Sequence, residues 1–214
     1  NGKFVDLGTE FSADNKPKKA KLEVLVLGDY HCGDTDPQVR QASLEMIDEF
    51  GPKRLVIHDL FNGHSVSHHN CGKLLNQVQI YKEGKADLKE ELELCYEELC
   101  TLSYAMKGRE IIIVASNHDE FLKRYLQEVR LKDDPRNAYV ASQLMAPAMN
   151  EENPVEVGIS KIGKIPKNVR FLERDEDYKI LGWQLGSHGD KGFAGGRGSM
   201  ISREYANGKS ITGH

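Results

Sequence analysis

An α/β fold built on a mostly parallel sheet is what this sequence predicts, and three observations carry that expectation. Short runs of β-branched and Leu residues alternate with stretches of helical spacing, the first connections between them are short, and polar residues stand immediately after the strand-like runs. Taking the elements in order, LEVLVLG at 22–28 has strand length and ends in Gly. Pro37 opens a helix through Phe50, with Asp36 placed to cap it, Gly51 to end it, and Val39, Leu44, Met46, Ile47 and Phe50 as its apolar positions. RLVIHDLF at 54–61 and EIIIVAS at 110–116 are the second and third strands. Between them lies an insertion at 62–108, a polar His-rich loop at 62–72 followed by one long amphipathic helix. Leu88, Leu92, Cys95, Leu99, Leu102 and Met106 mark its apolar stripe in alternating steps of four and three, Asp87 and Glu90 form a capping box, and Gly108 stops it. That stripe is expected to pack on its own domain, with a homo-oligomer contact as the alternative. DEFLKRYLQEV at 119–129 and NAYVASQLMAPAM at 137–149 read as helices, and Asn150 to Pro154 as a turn. VRFLE at 169–173 and YKILGWQLGSH at 178–188 read as strands joined by the acidic turn RDED, followed by a glycine-rich loop at 189–199, a short helical ISREYAN and SITGH at 210–214.

Composition bounds what such a fold can do. With 39% hydrophobic and 29% charged residues the chain falls outside the disordered and membrane classes, and no apolar run approaches the roughly 20 residues that a bilayer span needs. Its 29 basic against 33 acidic side chains provide no global cationic field for nucleic acid or anionic lipid, so any polyanion site must be local. Four cysteines without a CxxC pair indicate neither a zinc knuckle nor a disulfide framework, and fit reduced thiols in a cytoplasm. Residues 1–21, which include KPKKAK at 16–21, read as a solvated N-terminal arm unlike a signal peptide, and 22–214 as one domain.

Chemistry gathers where the strands end. Asp29 and His31 follow the first strand, His58 and Asp59 close the second, Asn117 and His118 follow the third, and His188 and His214 follow later ones. In an open α/β sheet ligands bind at the carboxyl ends of the strands. Carboxylate, imidazole and carboxamide donors delivered together suit Mn²⁺, Fe, Zn²⁺ or Ni²⁺, and two ions if one carboxylate bridges.

Five blocks, GDYH (28–31), HDLF (58–61), SNHD (116–119), GSHGD (186–190) and TGH (212–214), occur in the order found in the calcineurin-like metallophosphoesterases, which the chain resembles from residue 22 onward. The resemblance implies a four-layer α/β/β/α sandwich with a helical insertion between the second and third strands. It implies Asp29 and His31 as ligands of a first metal, Asp59 as the bridging carboxylate, and Asn117, His188 and His214 as ligands of a second. Two divalent ions are expected, Mn²⁺ first with Fe, Zn, Ni or Mg as alternatives, together with His118 as the catalytic group that stabilises charge or protonates the leaving oxygen. The family's last block is GHxH. Since TGH reaches only its first His, the sequence reads as stopping within that motif, with the first metal weakened in consequence.

Two positions depart from the family pattern. His58 stands where Gly opens the second block, which reads as a buried structural His, and Asn62 stands where a carboxylate or His supports the catalytic imidazole. DLF is similar to the repair-nuclease branch, while Asn62 and Gly63 replace the Asp and Arg of the phosphoprotein phosphatases. The chain also resembles tailed-phage pre-early nucleases that degrade host DNA. DNA is therefore the expected substrate, with no membrane partner, in a cytoplasm that would be the host's for a phage protein. A small-molecule phosphoesterase and a non-catalytic scaffold remain as alternatives. Lower-ranking features are His64, His68 and His69 in the loop, and Lys191 and Arg197 in a glycine-rich stretch that lacks the P-loop pattern.

Overall fold

Four short strands pair in sequence order into one all-parallel sheet, β1 (Val24–Leu27), β2 (Arg54–His58), β3 (Glu110–Val114) and β4 (Val169–Leu172). This is a computed structural model, and it describes residues 22–191 and 208–214. The expected arm at 1–21, ISREYAN and most of the glycine-rich loop with Arg197 lie outside the described residues. A parallel sheet is covered on both faces, so its strands alternate between two cores. Leu55, Ile57, Ile111 and Ile113 enter a large core shared with the helices, whereas Val56, Ile112, Val114 and Leu172 enter a smaller one closed by Ile180 and Leu185.

Helix α1 (Pro37–Phe50) starts as expected, with the Asp36 carboxylate accepting from the Gln38 and Val39 amides and Gly51 ending it in the left-handed region. Its apolar pattern misleads: Val39, Met46 and Phe50 are exposed, and the inward face runs through Ser43 and Ile47. Arg40 on the same side reaches Glu98 with Nη2 2.7 Å from Oε2, and Tyr30 donates to that same carboxylate. A polar network thus takes part of the place of an apolar seam.

The insertion holds two helices rather than one. The segment 74–82 forms α2 (Leu74–Lys82), which buries no side chain and leaves Leu74, Leu75 and Tyr81 largely in solvent. Helix α3 (Leu88–Ala105) follows, and all six stripe positions are buried within the chain's own core. Asp87 caps it by accepting from the Lys89 and Glu90 amides, and the buried Asn137 accepts from the Leu88 amide at 2.8 Å. Asn137 belongs to α5 (Pro135–Met149), which follows α4 (Asp119–Gln127). Where a turn and connection were expected, Pro154–Ile162 forms α6, whose Gly158 lies so close to Leu92 that a Cβ there would meet its methyls at 2.9 Å. The start signal was in the sequence: Asn153 caps, Pro154 takes the first helical position and Glu156 sits in the first turn.

The stretch 178–188 is a hairpin, not a single strand. β5 (Lys179–Ile180) and β6 (Trp183–Gln184) pair antiparallel around Leu181 and Gly182, both at positive φ. This is the primed turn that suits a two-residue hairpin, occupied by an unusual Leu in the left-handed region. Residues 209–211 run beside β6, with Gln184 N donating to Lys209 O at 2.8 Å and Ile211 N to Gln184 O at 3.0 Å. The described residues therefore form three layers, helices over the parallel sheet over this small second sheet. The outer helical layer of the expected sandwich is not among them. No described helix is long and apolar enough to cross a membrane, and all four cysteines are free.

Leu99→Ala empties a fully enclosed position and is expected to cost about 2–5 kcal/mol in urea unfolding. Leu75→Ala, on the exposed α2, is expected to stay within about 0.5 kcal/mol of the parent protein.

Candidate metal centre

The sheet's pairing pattern continues beyond its strands. Tyr30 N donates to His58 O at 3.1 Å, His31 N to Asp59 O at 2.7 Å and Cys32 N to Leu60 O at 3.0 Å, so the segments after β1 and β2 stay side by side. Within them Asp29, His31 and Asp59 all adopt positive φ, at 47°, 46° and 56°. Non-glycine residues pay for that conformation, and its concentration on three candidate ligands marks a backbone bent to aim side chains. On the other side Asp29 N donates to Gly213 O at 3.0 Å and Gly213 N to His188 O at 3.2 Å, which brings residues 212–214 against the strand ends. Only a residue without a side chain fits at Gly213, because a Cβ there would run into His58. His58 is fully buried there, stacked 5.7 Å from His188 with neither ring nitrogen hydrogen-bonded, and burial lowers its pKa to about 4. It fills space as a neutral ring.

Asp59 sits at the centre. Its carboxylate is 1% exposed with no hydrogen bond to either oxygen, and burial pushes its pKa up to about 7. Two donor groups share it: His31, Asp59 and His118 on one side, and Asp59, His188 and His214 on the other, the donor atoms of each group lying within 4.8 Å of one another. His188 Nε2 is 3.2 Å from Asp59 Oδ2 and 2.9 Å from Asn117 Oδ1, which adds a carboxamide oxygen to the second group. Burial holds His31 and His118 below the usual imidazole range and His188 down to about 3, which disfavours the charged imidazolium at all three. A buried carboxylate with no partner is costly, and a cation at each group would satisfy Asp59 together with the neutral imidazoles. The residues thus fit metal ions on both sides of one carboxylate. Asp29 stands at the edge, two-thirds exposed, with its carboxylate 3.8 Å from His31 Nε2.

His118 lies closer to this centre than a detached acid would, its ring 4.6 Å from that of His31. Its Nδ1 lies 2.6 Å from the backbone carbonyl of Asn62, and since a carbonyl only accepts, Nδ1 carries the proton and Nε2 is left for the site. The Asn62 side chain, expected to orient this imidazole, turns instead to Asp34, donating to Oδ2 at 2.7 Å. Asp34 is a residue that the motif reading passed over. It also meets His64 Nε2 at 2.7 Å and Lys85 Nζ at 2.8 Å, and burial, which raises its pKa, is outweighed by these contacts, led by Lys85, so that it falls to about 2. Its signal was position, three residues beyond His31 in the same block. The loop itself is held from below by the buried Glu91, which accepts from His64 N at 2.7 Å and Ser65 N at 3.1 Å.

Fold and site together define a mixed α/β protein whose parallel sheet is flanked by helices and carries, at its strand ends, a carboxylate shared by two histidine-rich donor groups. The chain is similar to Protein A1 of Escherichia phage T5, 30% identical in a 205-residue alignment that covers 89% of this chain and 36% of that protein, so it spans about a third of that relative's length. No protein-family model and no solved structure matches it.

If Asp59 serves both groups, Asp59→Asn is expected to abolish Mn²⁺ binding at both, whereas His188→Ala removes one ion, as read by equilibrium dialysis with metal analysis. One tightly held ion in Asp59→Asn would separate the groups. The Asp34 contacts stabilise the fold fully above the unfolded-chain pKa near 3.8 and are lost as pH falls through about 2. Asp34→Asn is therefore expected to cost about 1 kcal/mol at pH 7, allowing for solvent screening. In urea unfolding that difference should shrink steadily below pH 4.

Proposed function

We propose that the protein is a calcineurin-like metallophosphoesterase, with that family's four-layer sandwich, that hydrolyses phosphodiester bonds in DNA. The observation that carries this reading is the buried, unpartnered Asp59 carboxylate between two imidazole groups at the ends of parallel strands. In this reading Asp29, His31 and Asp59 hold one divalent ion, Mn²⁺ first among the candidates, and Asp59, Asn117, His188 and His214 hold another. Such ions supply Lewis-acid chemistry, acidifying water and neutralising phosphate charge.

The chain's own residues do the rest. Asp59 sets the spacing of the two groups, and the strand ends fix donor directions before substrate arrives. His118 keeps its Nδ1 proton on the Asn62 carbonyl, which leaves Nε2 for the reacting phosphate; an imidazole protonated there would stabilise the developing charge or protonate the leaving oxygen.

DNA is favoured over phosphoprotein by DLF after Asp59 and by Asn62 with Gly63 in place of the phosphatase Asp and Arg. Similarity to a phage protein agrees with the sequence's likeness to phage nucleases that act in the host cytoplasm. The net charge of −4 is no obstacle, because divalent ions make the site locally positive.

The test is the chain assayed on labelled single- and double-stranded DNA, and on chromogenic mono- and diesters, with Mn²⁺, Mg²⁺ or EDTA. Mn²⁺-dependent DNA cleavage abolished by EDTA is expected, with His118→Ala lowering kcat by roughly 10²–10⁴-fold. Absence of cleavage of every DNA form with Mn²⁺ present rejects the nuclease, and turnover of chromogenic esters alone points to a small-molecule phosphoesterase.

A further inference from the structure

The His-rich loop and the first turn of α4 line up aromatic rings outward from the metal centre. His118 contacts Phe121 with ring centroids 4.8 Å apart, Phe121 meets His68 at 5.3 Å and His69 at 5.5 Å, and His68 and His69 lie 4.0 Å from each other. The series begins at a ring that touches the candidate ligands and ends two contacts away at the exposed His69. Phe121 packs on the main core with both imidazoles edge-on to it, at 73° and 86°, while no hydrogen bond of the fold holds the imidazoles of His68 and His69 among the described residues. The loop is anchored through its backbone, by Glu91 at His64 and Ser65 and by Arg130 Nη2 at Val66 O, 2.9 Å away. Meanwhile Nδ1 of His68 is buried with no hydrogen-bond partner. Charge beside the rings favours an anionic strand: Arg124 and Arg130 share the single carboxylate of Glu128 at 2.6 and 3.2 Å, which leaves one of two guanidinium charges unbalanced.

We propose that Phe121, His68 and His69 form a stacking platform for unpaired bases, so that the protein engages a single strand beside the bond it cuts. This deepens the nuclease reading and rests on it. Ring faces accept any base, so no sequence preference is required, but duplex bases have their faces covered by neighbours and cannot use the platform. Each stacked base is expected to contribute roughly tenfold in affinity.

The test uses oligonucleotides carrying 2-aminopurine, whose fluorescence is quenched by stacking, titrated in EDTA as single strands and as blunt duplexes. Wild type is expected to bind the single strand at least about tenfold tighter than the duplex and to quench the probe. His69→Ala and Phe121→Leu should each lose most of that preference and quenching, and His69→Phe should restore them. Equal affinity for both forms by wild type, or unchanged quenching in His69→Ala, overturns the platform. Parallel Mn²⁺ cleavage of the same oligonucleotides separates the two ideas: cleavage with unchanged quenching in His69→Ala rejects the platform alone, and quenching without cleavage rejects the nuclease alone.

Discussion

One buried carboxylate organises this molecule. Asp59 follows β2, a strand with neighbours on both sides, and its left-handed backbone turns the side chain into a buried space where Oδ2 lies 3.2 Å from His188 Nε2. A lone charge at such a place is disfavoured, which is why the carboxyl is held near 7. The surroundings answer with unprotonated imidazoles instead of cationic side chains. An arginine beside Asp59 would have made a stable ion pair and a closed site. Neutral histidines leave the charge uncompensated, and that is the electrostatic description of a site shaped for a cation.

Around this centre the protein separates rigid from adjustable parts. The ligand-bearing turns are extensions of the sheet, tied by backbone hydrogen bonds, whereas His118 and the loop at 62–72 are positioned by polar contacts from the insertion. Glu91 and Lys85 both come from that insertion, and through the loop amides and Asp34 they hold what faces the metal groups. Its functional role is to build the wall of the site.

The sequence was most readable where local chemistry and topology agree. Strand runs followed at once by Asp, His or Asn announced both the sheet and the edge where the donor groups gather, and Asp36 and Asp87 announced the helix starts they cap. It was least readable where burial decides. Val39 and Phe50 mimic a core stripe but face water, because α1 packs through Arg40, Ser43 and Ile47. Segment 74–82 has helical apolar spacing at Leu74, Leu75, Val78 and Tyr81, but that stripe faces solvent. Asn62 could be read only by its side chain, yet its backbone carbonyl is what reaches His118, a contact invisible to residue identity. Leu181 and Gly182 hid a hairpin because Leu seldom takes the conformation that this turn requires.

The placement of Gly213 also has a kinetic meaning. It links Asp29, just past the end of β1, to His188, a few residues beyond β6, through contacts spanning most of the sequence. Contacts of such separation form late, after the cost of closing long loops has been met by nearer ones. The second donor group is therefore expected to be completed late in folding. Ion occupancy would then act as a latch, with amide exchange at residues 209–214 reporting whether the latch is shut.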